Sequence, residues 1–293
     1  MAIPILHFWE KYFDNHDEGL GSTYERFIIN DILQKVVENF RIKSVLEVPA
    51  FGFTGLSGIN SMQLALDGLK VDIVDNYQER LKMINRIWEQ VYSETVNKVI
   101  DTDFIFVNDF EHLPFHDKSY DMSWNFSALW FVNDIELFLS ELSRITKKLI
   151  LIMVPNRTGL GYLHQKYTGK DDLKKFLNED FIKSSRFIPL LERNGWQLLH
   201  DNYLDCPLWP DIGMSKEDFF SKLFPCVSFK KKKHKSKDIV SILDYYTNKL
   251  PDLKDKLYRY RFFEDYAPNC FKKIWAHHHY YLFTKDHNNK DLN

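Results

Sequence analysis

The chain has 293 residues, a hydrophobic fraction of 44%, an aromatic fraction of 16% and a formal net charge of −2. That is ample for one large domain, or for one domain carrying an insertion, and the near-neutral balance gives no global pull toward nucleic acid or an anionic membrane. Cys206, Cys226 and Cys270 form no C-x-x-C pair, which argues against a disulfide framework or a thiolate zinc site.

In chain order, residues 5 to 41 read as amphipathic helices, and "STYERFIINDILQKVVENF" opens on Ser22 as a capping candidate. The acidic and polar residues of this region come too early for a signal peptide, and no apolar run is long enough to cross a bilayer, so a cytoplasmic protein is expected. "KSVLEV" is a short apolar run consistent with a buried strand, and "LEVPAFGFTG" (46–55) follows it as a glycine-containing turn. "NSMQLALDGL" is then a helix, "KVDIVD" a second strand and "NYQERLKMINRIWEQVYSE" a second helix. "DFIFVND", "YDMSWNF" and "KKLILIMVPN" supply strands three to five, with "DIELFLSELSRIT" as the helix before the fifth. "LLERNGWQLLHDNYLDCPLW" reads as a helix, a turn and a sixth strand, and "IWAHHHYYLFTKD" as a seventh. Between these two, 210–270 is polar, Lys-rich and helix-like. Nearly continuous apolar strands alternating with helices predict a parallel sheet covered on both faces, which binds ligands outside the carboxyl ends of its strands. Glu47, Asp75 and Asp109 fall at such ends.

The order acid-ended strand, glycine turn, helix, second acid-ended strand, third strand with "ND", then "LPF…SYD" resembles the class I S-adenosylmethionine-dependent methyltransferases. The similarity is to their small-molecule, methyltransferase type 11-like branch. Its most specific stretch is "VNDFEHLPFHDKSYDMSWNFSALWFV". It covers about 40 to 157, extends to strands six and seven, and is silent on 210–270. The resemblance implies an α/β, Rossmann-like seven-stranded sheet, parallel except for the last strand. It would form a single domain: an N-terminal helical lid (1–41), a cofactor-binding core (42–209), a helical insertion (210–270), then the last strand and tail (271–293).

It also implies S-adenosylmethionine as cofactor and methyl transfer to a small-molecule acceptor. Asp75 would accept from the ribose hydroxyls, with Asn76 and Tyr77 flanking the adenine. Asp109 would accept the adenine amino group, the Phe110 backbone N–H would meet a ring nitrogen, and Glu47 would orient the amino-acid end. Asn125, opening "NFSAL", counts both as a cofactor contact and as an acceptor-pocket candidate. Trp9, Tyr12 and Tyr24 resemble lid aromatics, with helix-core packing as the equal alternative.

The opening turn departs from the family's acid-x-Gly-x-Gly-x-Gly pattern. Pro49 and Phe51 take the first two glycine positions, and Gly52, Gly55 and Gly58 follow out of register. A lengthened loop presenting Gly52 and Gly55 to the cofactor is one reading; a non-catalytic scaffold that keeps only the fold is the other. Retention of Asp75 and Asp109 favours the first. "NFSAL" lacks the Asn/Asp-Pro-Pro-aromatic run of nucleic-acid amine methyltransferases, which disfavours a DNA-base substrate.

Outside this core, "YLDCPLWPDIG" supplies Asp205, Trp209 and Asp211 as further acceptor-pocket candidates, with an aromatic packing loop as the even alternative. In "AHHHYY", His277 and His279 would face one side of a strand and His278 the other. Two imidazoles without a carboxylate or cysteine at suitable spacing favour a strand that carries histidines over a metal site, and no metal is expected. A single histidine of this run could serve as a base, and His278 is kept as an acceptor-pocket candidate. "FKKKKHKSK" (229–237) holds six lysines between Lys230 and Lys237. It would serve an RNA-modifying enzyme if it met phosphate, and is otherwise a solvated loop.

Overall fold

The computed structural model describes residues 9–52, 55–95, 101–168, 177–206 and 241–285. The chain enters through α1 (Trp9–Asn15) and α2 (Gly19–Phe40), and α2 ends on Arg41 in the left-handed conformation. Ser22 lies inside α2 rather than at its cap; the cap position is Glu18, whose side chain makes no capping bond. Then come β1 (Ser44–Glu47), α3 (Met62–Leu66), β2 (Lys70–Asp75), α4 (Gln78–Thr95), β3 (Phe104–Phe106) and β4 (Tyr120–Phe126). A 3₁₀ turn at Leu129–Phe131 leads to α5 (Ile135–Ile145), whose first-turn N–H groups are capped by Asp134. β5 (Thr146–Pro155), α6 (Leu160–Thr168), α7 (Ser184–Arg193) and β6 (Gln197–Leu204) follow. Four short helices come before the last strand: α8 (Ile242–Tyr246), α9 (Leu253–Tyr258), α10 (Phe262–Tyr266) and α11 (Asn269–Trp275). The "IWAHHH" segment is therefore split, with helix to Trp275 and β7 running from His278 to Thr284.

The seven strands form one sheet in the order β3-β2-β1-β4-β5-β7-β6. β1 pairs parallel with β2 and β4, β2 with β3, and β4 with β5, while β7 runs antiparallel to both β5 and β6. This is the sheet expected, with its reversed last strand. β4 is buried at every residue, as a central strand covered on both faces must be.

Alternation along the strands feeds two cores. Val45, Ile73, Met122, Trp124 and Leu151 pack with α2, α4, α8 and α9 on one face. Leu46, Val74, Ile150 and Ile152 pack with α5 and α7 on the other. Because β7 is antiparallel, its first residue pairs with the ends of β5 and β6, as the Pro155–His278 and Leu204–His278 registers show. The carboxyl edge of the sheet thus carries the ends of β1 to β6 and the start of β7. No described helix is long and apolar enough to cross a membrane.

Candidate active site

Strand order reverses between β1 and β4, and at such switch points the loops part to leave a crevice. A cavity of about 420 Å³ opens there, lined by Pro49, Phe51, Asn76, Tyr77, Arg80, Phe110 and Phe131. That volume lies in the range that holds small-molecule ligands. Its walls are mainly aromatic, with Phe51 and Phe131 packed at a ring separation of 5.0 Å.

Asp75, fully buried at the end of β2, lies behind this wall. Its Oδ1 accepts from the Tyr77 backbone N–H (2.8 Å) and from Arg80 Nη2 (2.5 Å), and its Oδ2 accepts from Arg80 Nε (2.6 Å). The Arg80 guanidinium also lies 4.0 Å from the centre of the Phe51 ring, a cation–π contact. A carboxylate has about four lone-pair sites, and three are taken. Sequence reading missed Arg80, although its place in the first turn after an acid-ended strand is a usable signal for such a pair.

Glu47 is turned inward. Its carboxylate accepts from Asn60 Nδ2 (3.0 Å), the Ser61 backbone N–H (3.1 Å) and Ser61 Oγ (2.7 Å). Ser61 Oγ accepts in turn from Trp124 Nε1 at 2.9 Å. Burial pushes the Glu47 carboxyl up to about 7, against the lowering effect of these bonds. Glu47 therefore holds the far end of the opening loop.

That loop is fixed at several further points. The Val48–Pro49 peptide is cis, and Ala50 donates its N–H to the Val74 carbonyl at 2.9 Å. Gly52 has φ +148°, and a Cβ there would stand 2.2 Å from the Phe126 carbonyl oxygen and 2.7 Å from that of Ser127. Glycine is needed at this position because the loop presses on the end of β4. Gly55 is buried, with φ +149°. Asp109 is partly exposed and hydrogen-bonded to His112 Nδ1 at 2.9 Å, and it does not line the cavity, while its neighbour Phe110 is buried and does. The bond to Asp109 raises the pKa of His112.

Asn125 is fully buried, and neither atom of its amide has a hydrogen-bond partner among the described residues. The Ser127 and Ser57 hydroxyls are in the same state. Buried polar groups are ordinarily paired, so three orphans on β4's end and the adjoining loop fit a bound polar ligand.

The other half of the carboxyl edge carries a second polar cluster. Asp205, just past β6 with φ +58°, accepts from His277 Nδ1 at 2.5 Å. Glu25 of α2 and His278 of β7 face each other, Oε1 to Nδ1, at 2.5 Å. Burial alone would raise the Glu25 carboxyl, but the facing His278 outweighs it and holds it below the usual range; Asp205 is pushed up by burial. Tyr24 is buried nearby. The His278 ring lies 4.5 Å from that of Phe126, so this cluster adjoins the strand end against which Gly52 packs. His279 is engaged separately, by Asp201 at 2.7 Å and by Tyr281 at 2.9 Å.

Tyr12 is partly buried against the α2-side core. Trp209, Asp211, the lysine run and the side chain of Trp9 lie outside the described residues. The structure thus gathers Pro49, Asn76, Tyr77 and Phe110 around one cavity, with Asp75 behind it. Asp205 and His278 come together in the neighbouring cluster.

Residues 54–152 match the family model described as a methyltransferase domain. A Thermotoga maritima protein described as a SAM-dependent methyltransferase, possible histamine N-methyltransferase, is 13% identical with a TM-score of 0.52, covering 96% of each chain. The [4+2]-cyclase SpnF is 14% identical with a TM-score of 0.47, over 87% of this chain and 80% of its own. A SAM-dependent methyltransferase from Aquifex aeolicus is 18% identical at a TM-score of 0.43, over 59% of this chain and 83% of its own. None of the curated proteins compared with the chain matches it. Such identities speak to the fold alone. The domain match over residues 54–152, the strand order and the reversed last strand together show a methyltransferase-type α/β fold.

Proposed function

We propose that this protein transfers a methyl group from S-adenosylmethionine to a small-molecule acceptor. The observation that carries the reading is the aromatic cavity at the switch point, with Asp75 behind it and the unpaired Asn125 amide on the neighbouring strand end. The cavity suits a nucleoside: Tyr77, Phe110 and Phe51 give flat apolar walls, and Asn76 is exposed at its edge. Asp75 suits the ribose once Arg80 turns aside, because two of its occupied lone-pair sites are Arg80's. Bound, the cofactor supplies a methyl carbon already activated by a sulfonium.

The chain's own part is then orientation and exclusion of water. Glu47 holds Asn60 and Ser61 in place, and Asn125 offers a donor and an acceptor. Asp205 and His278, beside Phe126, stand on the acceptor side, and His278 is the candidate to take a proton from the acceptor.

Calorimetric titration of the folded full chain with S-adenosylmethionine and S-adenosylhomocysteine tests the reading. Saturable binding of either is expected, and acceptor screening then begins with small metabolites. A second reading, a methyltransferase fold kept as a binding scaffold, is favoured by Arg80 closing over Asp75 and by Glu47 being satisfied internally. Absence of binding to either compound would select it.

A further inference from the structure

We propose that Glu25, Asp205 and His278 form a buried binding site for a divalent transition-metal ion, with zinc the expected occupant, that ties α2 to the edge formed by β6 and β7. One donor atom from each residue lies within 4.8 Å of the other two, and the three residues are 1%, 3% and 1% exposed. Donors around one zinc ion at about 2.0–2.2 Å stand roughly 3–4 Å apart, so closure on an ion requires movements of under about 1 Å.

Two histidine–carboxylate pairs meet here, and they differ. His277 and Asp205 have both the distance and the angles of a hydrogen bond. Glu25 Oε1 and His278 Nδ1 are equally close, yet neither atom has hydrogen-bond geometry to any described group. At 2.5 Å the two atoms form a buried ion pair, closer than two ligands of one ion, so an ion entering here would part them by about 1 Å. The Tyr24 hydroxyl, one residue from Glu25, is also buried without a partner and lies in the field of Asp205.

The charges agree. Glu25 and Asp205 are carboxylates that repel one another inside the protein, and Glu264 adds to the negative field at Asp205's neighbour Cys206. Each carboxylate faces one histidine, His278 for Glu25 and His277 for Asp205, while Lys272 donates to the Glu264 backbone carbonyl and Arg261 pairs with Asp31 and Asp265. A divalent ion would neutralise both carboxylates where they are buried. His277, bound to one oxygen of Asp205, would orient that carboxylate from outside the metal's own ligands. Two oxygens and one imidazole nitrogen suit zinc, which accepts four-coordination, whereas magnesium and calcium require six or more oxygen ligands. His278 would ligate through Nδ1 with its proton on Nε2, so a chain holding the ion does not use His278 as the base for the acceptor. The site does not depend on methyl transfer.

The test uses the full chain, stripped with a chelator and dialysed into metal-free buffer, then titrated with Zn²⁺ alone against a chromophoric competitor. One ion bound per chain and a rise in melting temperature are expected. Glu25→Gln and Asp205→Asn should each weaken binding by at least about tenfold and remove the thermal response, while the exposed control His116→Gln changes neither. Zn²⁺ binding of unchanged affinity in Glu25→Gln, or no saturable binding in wild type, overturns the proposal. Should both variants fail to fold, the wild-type Co²⁺ complex decides. Intense visible bands of a low-coordinate ion support the site, and the pale spectrum of hexaaquo cobalt refutes it.

Discussion

The Asp75–Arg80 pair is where a single side chain sets what the cavity can bind. Bidentate arginine–carboxylate pairs are strong when dry, and this one is buried on both sides. A ribose diol must therefore displace Arg80 or do without Asp75. Replacing Arg80 by methionine keeps much of the packing against Phe51 but leaves Asp75 an unpaired buried carboxylate, which costs stability in the free protein. A nucleoside would restore two hydrogen bonds to it. The expected result for Arg80→Met is a lower melting temperature without ligand, and a larger upward shift with S-adenosylhomocysteine than wild type shows. An equal or smaller shift would mean that Arg80 helps to hold the ligand rather than competing with it.

Between elements, the opening loop is held by buried charge on α2. Arg26, fully buried, is paired with Glu18, bonded to Asn60, and donates to the Leu56 carbonyl at 2.9 Å. Glu18 also accepts the Leu56 N–H at 2.8 Å. Breaking a buried pair by removing one partner costs about 3–5 kcal/mol, while replacing both is far milder. Urea unfolding should therefore show Arg26→Met destabilised by about that amount, and Glu18→Gln/Arg26→Met recovering part of the loss. A double variant no better than the single one would show that Arg26 acts through its bonds to the loop and not through Glu18.

This layer was hidden in the sequence. The strands and most helices were legible because apolar runs such as "KSVLEV" and "KKLILIMVPN" have a local cause, burial on both faces. Glu47 and Asp75 were legible for the same reason, each ending its strand, whereas β3 stops at Phe106 and leaves Asp109 in the loop three residues beyond it. Ser22 misled because the helix begins a turn earlier, at Gly19, without a side-chain cap. His278 was a candidate without a partner because its carboxylate lies on α2, at the opposite end of the chain. Asp205 meets His277 only because β6 and β7 pair antiparallel. Nothing in local spacing encodes contacts of that range.

For the molecule as a whole, the carboxyl edge gathers acids that burial would rather keep protonated, and this links global stability to pH. Glu47 is the sharpest case, raised from 4.5 to about 7 by burial, and Glu264 is raised likewise to about 7. A carboxyl whose folded pKa lies above its unfolded value binds its proton more tightly in the folded state. Its contribution is fully present below pH 4.5, declines as pH rises, and is lost above about 7. At about 1.4 kcal/mol per pKa unit, the Glu47 share of that decline is on the order of 3 kcal/mol. Glutamine at this position cannot titrate. Its amide would also face one of the donors from Asn60 or Ser61, at a cost that is the same at every pH. The informative quantity is therefore the slope and not the absolute stability. Urea unfolding at a series of pH values from 4.5 to 8 should show wild-type stability falling with rising pH, and Glu47→Gln falling less steeply, with the Glu264 share remaining. Parallel slopes would mean that Glu47 stays ionised throughout, its three hydrogen bonds outweighing its burial, so that the loop is held by a full charge at every pH at which the protein folds.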